Sequence, residues 1–115
     1  MAINQLYTAT ATVSTTEYSL TNNSTTLTAK TDVGILQAWI DLNAMAAGDQ
    51  YEIKFYEKTI SGGTQRLVEV WTVTGAQAKP LFTIPSLIVM WGWEVTMKKL
   101  VGTDRSIVWS LRAVQ

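Results

Sequence analysis

The 115-residue chain contains no cysteine and no histidine. Without cysteine there is neither disulfide nor thiolate chemistry, and the redox compartment leaves no mark. Without histidine the commonest general base and the commonest metal ligand are both missing. Charge is scarce as well. Charged residues make up 16% of the chain, below the usual quarter, and nine basic residues balance nine acidic ones. A net charge of zero leaves no electrostatic footprint for nucleic acid or an anionic membrane, so neither is expected as a partner. No apolar run approaches the roughly 18–20 residues of a membrane span. The opening stretch MAINQLYTATATVS has no basic region ahead of a hydrophobic core and does not read as a signal peptide. The Asn22-Asn23-Ser24-Thr25 sequons are therefore read as loop composition.

Catalytic patterns are missing too. Serine and threonine are abundant, but there is no G-x-S-x-G elbow and no S-x-x-K. Asp41 and Asp49 flank the short segment 43–47 and could form a carboxylate pair for glycosidic chemistry or part of a calcium site. No D-x-D-x-D-G pattern supports calcium, and carboxylates in such places ordinarily cap and shape turns. The turns at Gly62-Gly63 and Gly102-Thr103 are followed by no helix and are not phosphate cradles. No cofactor, no metal and no enzymatic activity are expected.

What the chain does have is alternation. Hydrophobic residues make up 47% of the sequence, and they fall at every second position in several short stretches. In residues 49–74, Tyr51, Ile53 and Phe55 share one strand face, and a Ser61-Gly62-Gly63 turn leads into the return strand. The register expected for this hairpin sets Phe55 opposite Val68, Ile53 opposite Val70 and Lys54 opposite Glu69, a favourable cross-strand pair. It leaves Leu67, Trp71 and Val73 on a second apolar face, to be covered by another sheet edge or by a partner. A second hairpin is expected over residues 92–114, pairing Met97 with Trp109, Val95 with Leu111 and Glu94 with Arg112.

Residues 34–42 alternate Leu36, Ala38, Ile40 and Leu42 against Gln37, Trp39 and Asp41, a half-buried strand with Trp39 on its more polar face. Residues 43–47 suggest a single helical or 3₁₀ turn. Pro80 and Pro85 confine the segment that follows residue 75 to a sheet edge, and residues 87–91 are apolar throughout, ending at Trp91. The Ser/Thr-rich residues 1–33 read as an edge strand with a surface loop, or alternatively as an arm laid against a neighbour. Residues 34–115 supply the core of what is one domain overall. Seven or eight short strands with no helix-period segment describe a single-domain antiparallel β-sandwich or small barrel.

Five tryptophans invite a sugar-stacking platform on Trp39 and Trp71, but Trp93 and Trp109 read as core. The candidate functional residues are interface anchors: Trp39, Leu67, Trp71, Val73 and Trp91. A chain this neutral and apolar is poorly defended against association, which fits a protein that works within an assembly.

Two stretches carry a resemblance: Gln37-Ala38-Trp39-Ile40-Asp41-Leu42 through Ala46-Ala47-Gly48-Asp49-Gln50-Tyr51 to Glu57-Lys58, and Gly102-Thr103-Asp104-Arg105-Ser106-Ile107-Val108-Trp109-Ser110-Leu111-Arg112. Together with Gly75-Ala76-Gln77 and the proline-bearing segment after it, they resemble small β-sandwich proteins encoded in the structural modules of tailed bacteriophages. The likeness spans roughly residues 34–112. It implies a virion component made in the host cytoplasm, and proteins of this size in that group often decorate or cement the capsid. The implied partners are the major capsid protein and further copies of the chain, a trimer if it sits at threefold positions. A carbohydrate-binding module of a tail or fibre, or a tail-tube or connector subunit, are the alternatives.

Overall fold

Along residues 34–41 and 105–114 every second side chain is buried, and the burial of the intervening ones varies. That is the signature of strands with one face on a core and the other free. The computed structural model describes residues 1–115. Its eight strands are β1 (Ile3–Val13), β2 (Tyr18–Ser19), β3 (Gly34–Asp41), β4 (Gln50–Lys58), β5 (Gln65–Thr74), β6 (Leu81–Val89), β7 (Glu94–Val101) and β8 (Arg105–Val114). They form two antiparallel four-stranded sheets, in the orders β1-β8-β3-β6 and β2-β7-β4-β5. The all-β sandwich expected from the alternation is the architecture found. Leu36, Ala38, Ile40, Ile107, Trp109 and Leu111 of the first sheet meet Tyr51, Ile53, Phe55, Val95 and Met97 of the second across one core.

Pro85 sits where the sequence requires it. β6 is an edge strand, and its pairing with β3 breaks between Leu36 and Ala38, so that Gln37 faces Pro85 and Ser86. A bulge on an edge is where a residue without an N–H costs least. Around residues 43–47 there is no helical turn. Two separate tight turns replace it, closed by Met45 N–H to Leu42 O at 3.0 Å and Asp49 N–H to Ala46 O at 3.1 Å.

The expected register of the β4–β5 hairpin is corrected. Phe55 faces Glu69, Lys54 faces Val70 and Ile53 faces Trp71, with a bulge at Val68 before Tyr56 meets Leu67. The shift turns Trp71 and Val73 inward, where Val73 is buried and Trp71 packs edge-on against Phe82 of β6, ring centroids 6.0 Å apart. Burying two large side chains is worth about 1.5–3 kcal/mol each, whereas an exposed cross-strand ion pair is worth about 0.2–1 kcal/mol. The apolar pair therefore sets the register. Glu69 lies on the Phe55 side of the strand but stays exposed, and Lys54 pairs instead with Glu52 at 3.2 Å.

The expected 92–114 hairpin is corrected as well. β7 lies between β2 and β4, while β8 lies between β1 and β3 in the other sheet. Met97 thus pairs with Ile53 and Trp109 with Ile40, and Glu94 faces Tyr56, far from Arg112. The chain arches from one sheet to the other at Gly102, whose φ is +102° and where a Cβ would collide with Asp49 Oδ1. Asp49 holds the arch. Its carboxylate accepts Thr103 N–H at 2.9 Å, Arg105 Nε–H at 2.7 Å and Ala46 N–H at 2.9 Å. Tyr51 adds a second tie, donating to Thr103 O at 2.7 Å and accepting from Arg105 N–H at 2.8 Å.

Candidate interaction surface

The outward faces of the two sheets differ in chemistry. On the β2-β7-β4-β5 sheet, Glu52, Lys54, Glu94 and Lys98 alternate with the core residues, and the segments 14–17 and 21–28 fold over part of them. Glu94 is buried, accepting from Asn22 Nδ2–H and Thr28 N–H, each at 3.1 Å. Glu17 accepts the hydroxyls of Tyr56 and Thr96. Burial works to raise the Glu17 pKa, but those two hydroxyls and the charges of Lys54 and Lys98 outweigh it, and the pKa falls below the ordinary value. Every carboxylate in this cluster is taken up by the fold.

Three tyrosine hydroxyls are hydrogen-bonded at separate places: Tyr56 to Glu17, Tyr7 to Asp32 and Tyr51 within the arch. Burial, together with the neighbouring carboxylates Asp32 and Glu17, drives the pKa of Tyr7 and Tyr56 well above 10.0, and burial chiefly raises that of Tyr51. A raised folded-state pKa gives stabilisation that is complete below pH 10 and lost as pH rises beyond it. An ultraviolet titration should therefore show these three phenols ionising above their usual range, together with alkaline unfolding. Independent ionisation near pH 10 in a folded chain would contradict the hydrogen bonds described.

The outward face of β1-β8-β3-β6 is almost free of charge. Asp41 and Arg112 are the charged residues among its outward side chains, which otherwise are Trp39, Thr, Ser, Gln and aliphatics. Ile3 is 79% and Ile88 76% exposed, and Ile35, Leu81 and Val108 are also open to solvent. Both surface hollows of the molecule lie here. One, about 350 Å³, is lined by Ile3, Ile35, Gln37, Ser86, Arg112 and Val114. The other, about 170 Å³, is lined by Trp39, Asp41, Leu81, Val108, Ser110 and Arg112. Between them the Arg112 guanidinium lies over the Trp39 ring, 5.0 Å from its centroid. The Trp39 indole N–H is shielded from solvent and has no acceptor, a deficit of about 1–3 kcal/mol for a buried donor.

The five residues singled out by sequence do not form one patch. Trp39 lies at the centre of the charge-poor face. Trp71 and Val73 point between the sheets, Leu67 is 49% exposed on β5 beyond the bulge, and Trp91 is 40% exposed in the loop before β7. That loop is held by Glu57, which accepts Met90 N–H and Gly92 N–H at 2.8 Å each. Sequence reasoning missed Arg112, Ile3, Ile35, Ile88 and Val108. For Ile35, Val108 and Arg112 the signal was present, since each alternates with core residues of β3 or β8; Ile3 lies ahead of the core positions of β1, and Ile88 lies in an unbroken apolar run.

Asp41 and Asp49 are each engaged locally. Asp41 Oδ1 accepts Asn43 N–H at 2.9 Å, and Asp49 is committed to the arch. No group of three or more Asp, Glu, Cys or His residues is placed to hold a metal ion. The surface offers shape and apolar area, with one cation stacked on an indole. No family model, curated protein or solved structure matches this chain.

Proposed function

We propose that this chain is a non-enzymatic structural protein of a tailed-bacteriophage particle, one that binds the outside of the head and stabilises it. The observation that supports an assembly role is the difference between the two sheet faces. One is charged and partly covered by its own loops. The other is charge-poor and hollowed around Trp39 and Arg112. From strand spacing and rise, four strands of about eight residues present roughly 500 Å² in projection. With side-chain relief this approaches the ~800 Å² that each partner gives to a standard interface. Aromatic and arginine side chains at the centre of such a patch are the usual anchors of binding. The resemblance to phage structural proteins supplies the particle and the major capsid protein as partner.

A ligand specific for assembled capsomers raises the free energy of separating them, and many copies multiply the effect. A glycan-binding module fits less well, because the Arg112 guanidinium already occupies a face of the Trp39 ring on which a sugar would stack. Imaging and quantitative gel analysis of purified particles test the proposal. Hundreds of copies per particle, retained on tail-less heads, are expected. A handful of copies confined to the tail tip would contradict it.

A further inference from the structure

The sandwich has four edge strands, and three of them are guarded against pairing with another chain. β2 has two residues. β6 is broken by Pro85 and its bulge. β5 carries a bulge at Val68 and the charged Arg66 and Glu69, and part of its open backbone is capped: Val70 N–H donates to Glu69 Oε1 at 3.0 Å, and Gln77 Nε2–H donates to Thr74 O at 3.1 Å. β1 is different. It is eleven residues long, has no charged side chain, and has a single irregularity at Leu6.

Hydrogen-bond parity shows which groups β1 leaves open. Ala2 and Gln115 exchange both backbone hydrogen bonds at 3.0 Å, so odd-numbered residues of β8 turn their backbone toward β1. Tyr7, Ala9 and Ala11, which face Leu111, Trp109 and Ile107, are the bonded partners. Thr8, Thr10 and Thr12 turn their N–H and C=O groups away from the sheet. No loop or side-chain hydrogen bond reaches those groups, and the Thr8 hydroxyl is turned back to Trp109 O.

Residues 8–12 read Thr-Ala-Thr-Ala-Thr, the same in both directions. We propose that β1 pairs antiparallel with β1 of a second copy about a twofold axis at Thr10, fusing two four-stranded sheets into one of eight strands. An isologous contact requires a self-complementary strand, and this palindrome is one. Thr10 meets Thr10 of the second copy and Thr8 meets Thr12, as three hydrogen-bonded pairs whose side chains form a threonine ladder on the outer face. Ala9 then faces Ala11 on the inner side, and Tyr7 faces Val13. Registers centred on Ala9 or Ala11 keep two of the three threonine pairs. The contact closes on itself and gives a dimer, and it joins the two charge-poor outer faces into one platform. It stands on the strand edges alone, whichever particle the chain serves.

Sedimentation velocity of the full chain up to about 200 μM tests the pairing, since an edge contact of small area gives micromolar rather than nanomolar association. The wild type is expected to show a reversible monomer–dimer equilibrium. Thr10→Lys and Thr10→Glu, both on an exposed position, should each sediment as folded monomers because like charges then face each other. Mixed in equal amounts, they should dimerise again. If either fails to fold, the double variants Thr8→Lys/Thr12→Lys in one chain and Thr8→Glu/Thr12→Glu in the other repeat the test, because positions 8 and 12 face each other across the axis. A wild type that stays monomeric or forms a trimer overturns the proposal. So does a Thr10→Lys protein that still dimerises, or a mixture that does not.

Discussion

Asp49→Ala should lower the melting temperature by about 10 °C or more, the largest stability loss expected from any polar substitution in this chain. The carboxylate is 1% exposed and accepts three hydrogen bonds that tie the 43–48 turns to the start of β8. Removing it leaves Thr103 N–H, Ala46 N–H and the Arg105 guanidinium without their acceptor, and the arch between the sheets loses its clamp. The Arg105 hydrogen bond, followed by those from Thr103 and Ala46, holds the Asp49 pKa at about 2, below the ordinary 3.8. A depressed carboxylate pKa gives stabilisation that is complete above the unfolded value and is lost as pH falls through the folded one. The wild-type advantage over Asp49→Ala should accordingly be full above pH 3.8 and shrink toward pH 2. Chemical denaturation of both proteins across that range measures it. A gap that does not change with pH would show that the ionised carboxylate is not what holds the arch.

Trp71→Ala should cost about 2–3 kcal/mol of folding stability, less than the ~3–5 kcal/mol of a fully buried aromatic because the residue is only partly buried. Its indole meets Phe82 edge-on where β5 and β6 close one side of the sandwich. The loss should appear as a lower denaturation midpoint with an unchanged slope. Partner binding by the protein that remains folded should be unaffected. Unchanged stability with lost binding would make Trp71 an interface anchor rather than a closing wedge.

Trp71 also shows where sequence reading succeeds and where it stops. Period-two alternation marked which residues of β3, β4, β7 and β8 face the core, because that pattern is local. The partner of each strand is not local. Alternation in β7 and β8 is the same whether they pair in one sheet or face each other from two, so sequence alone makes the arch at Gly102 look like a hairpin. In β5 the Lys54–Glu69 charge match pointed to one register, while the bulge at Val68 and the distant Phe82 decided another. Pro85 was legible because its missing donor limits it to edges wherever the rest of the chain goes. Trp39 was placed on the outer face of β3 correctly. Its stacking with Arg112 was not visible, since the two residues are brought together only by the pairing of β3 with β8.

The charge-poor face is the core of the functional proposal, and one measurement addresses it directly: titration of wild-type protein, Trp39→Ser and Arg112→Glu onto phage heads lacking the protein, with melting curves recorded alongside. Both substitutions lie on the outer face, so melting should change little. Loss of a central anchor is expected to weaken binding by about 2–4 kcal/mol, a drop of roughly 30- to 1000-fold. Wild-type affinity in both variants, with heads saturating as before, would contradict the assignment of this face to the capsid.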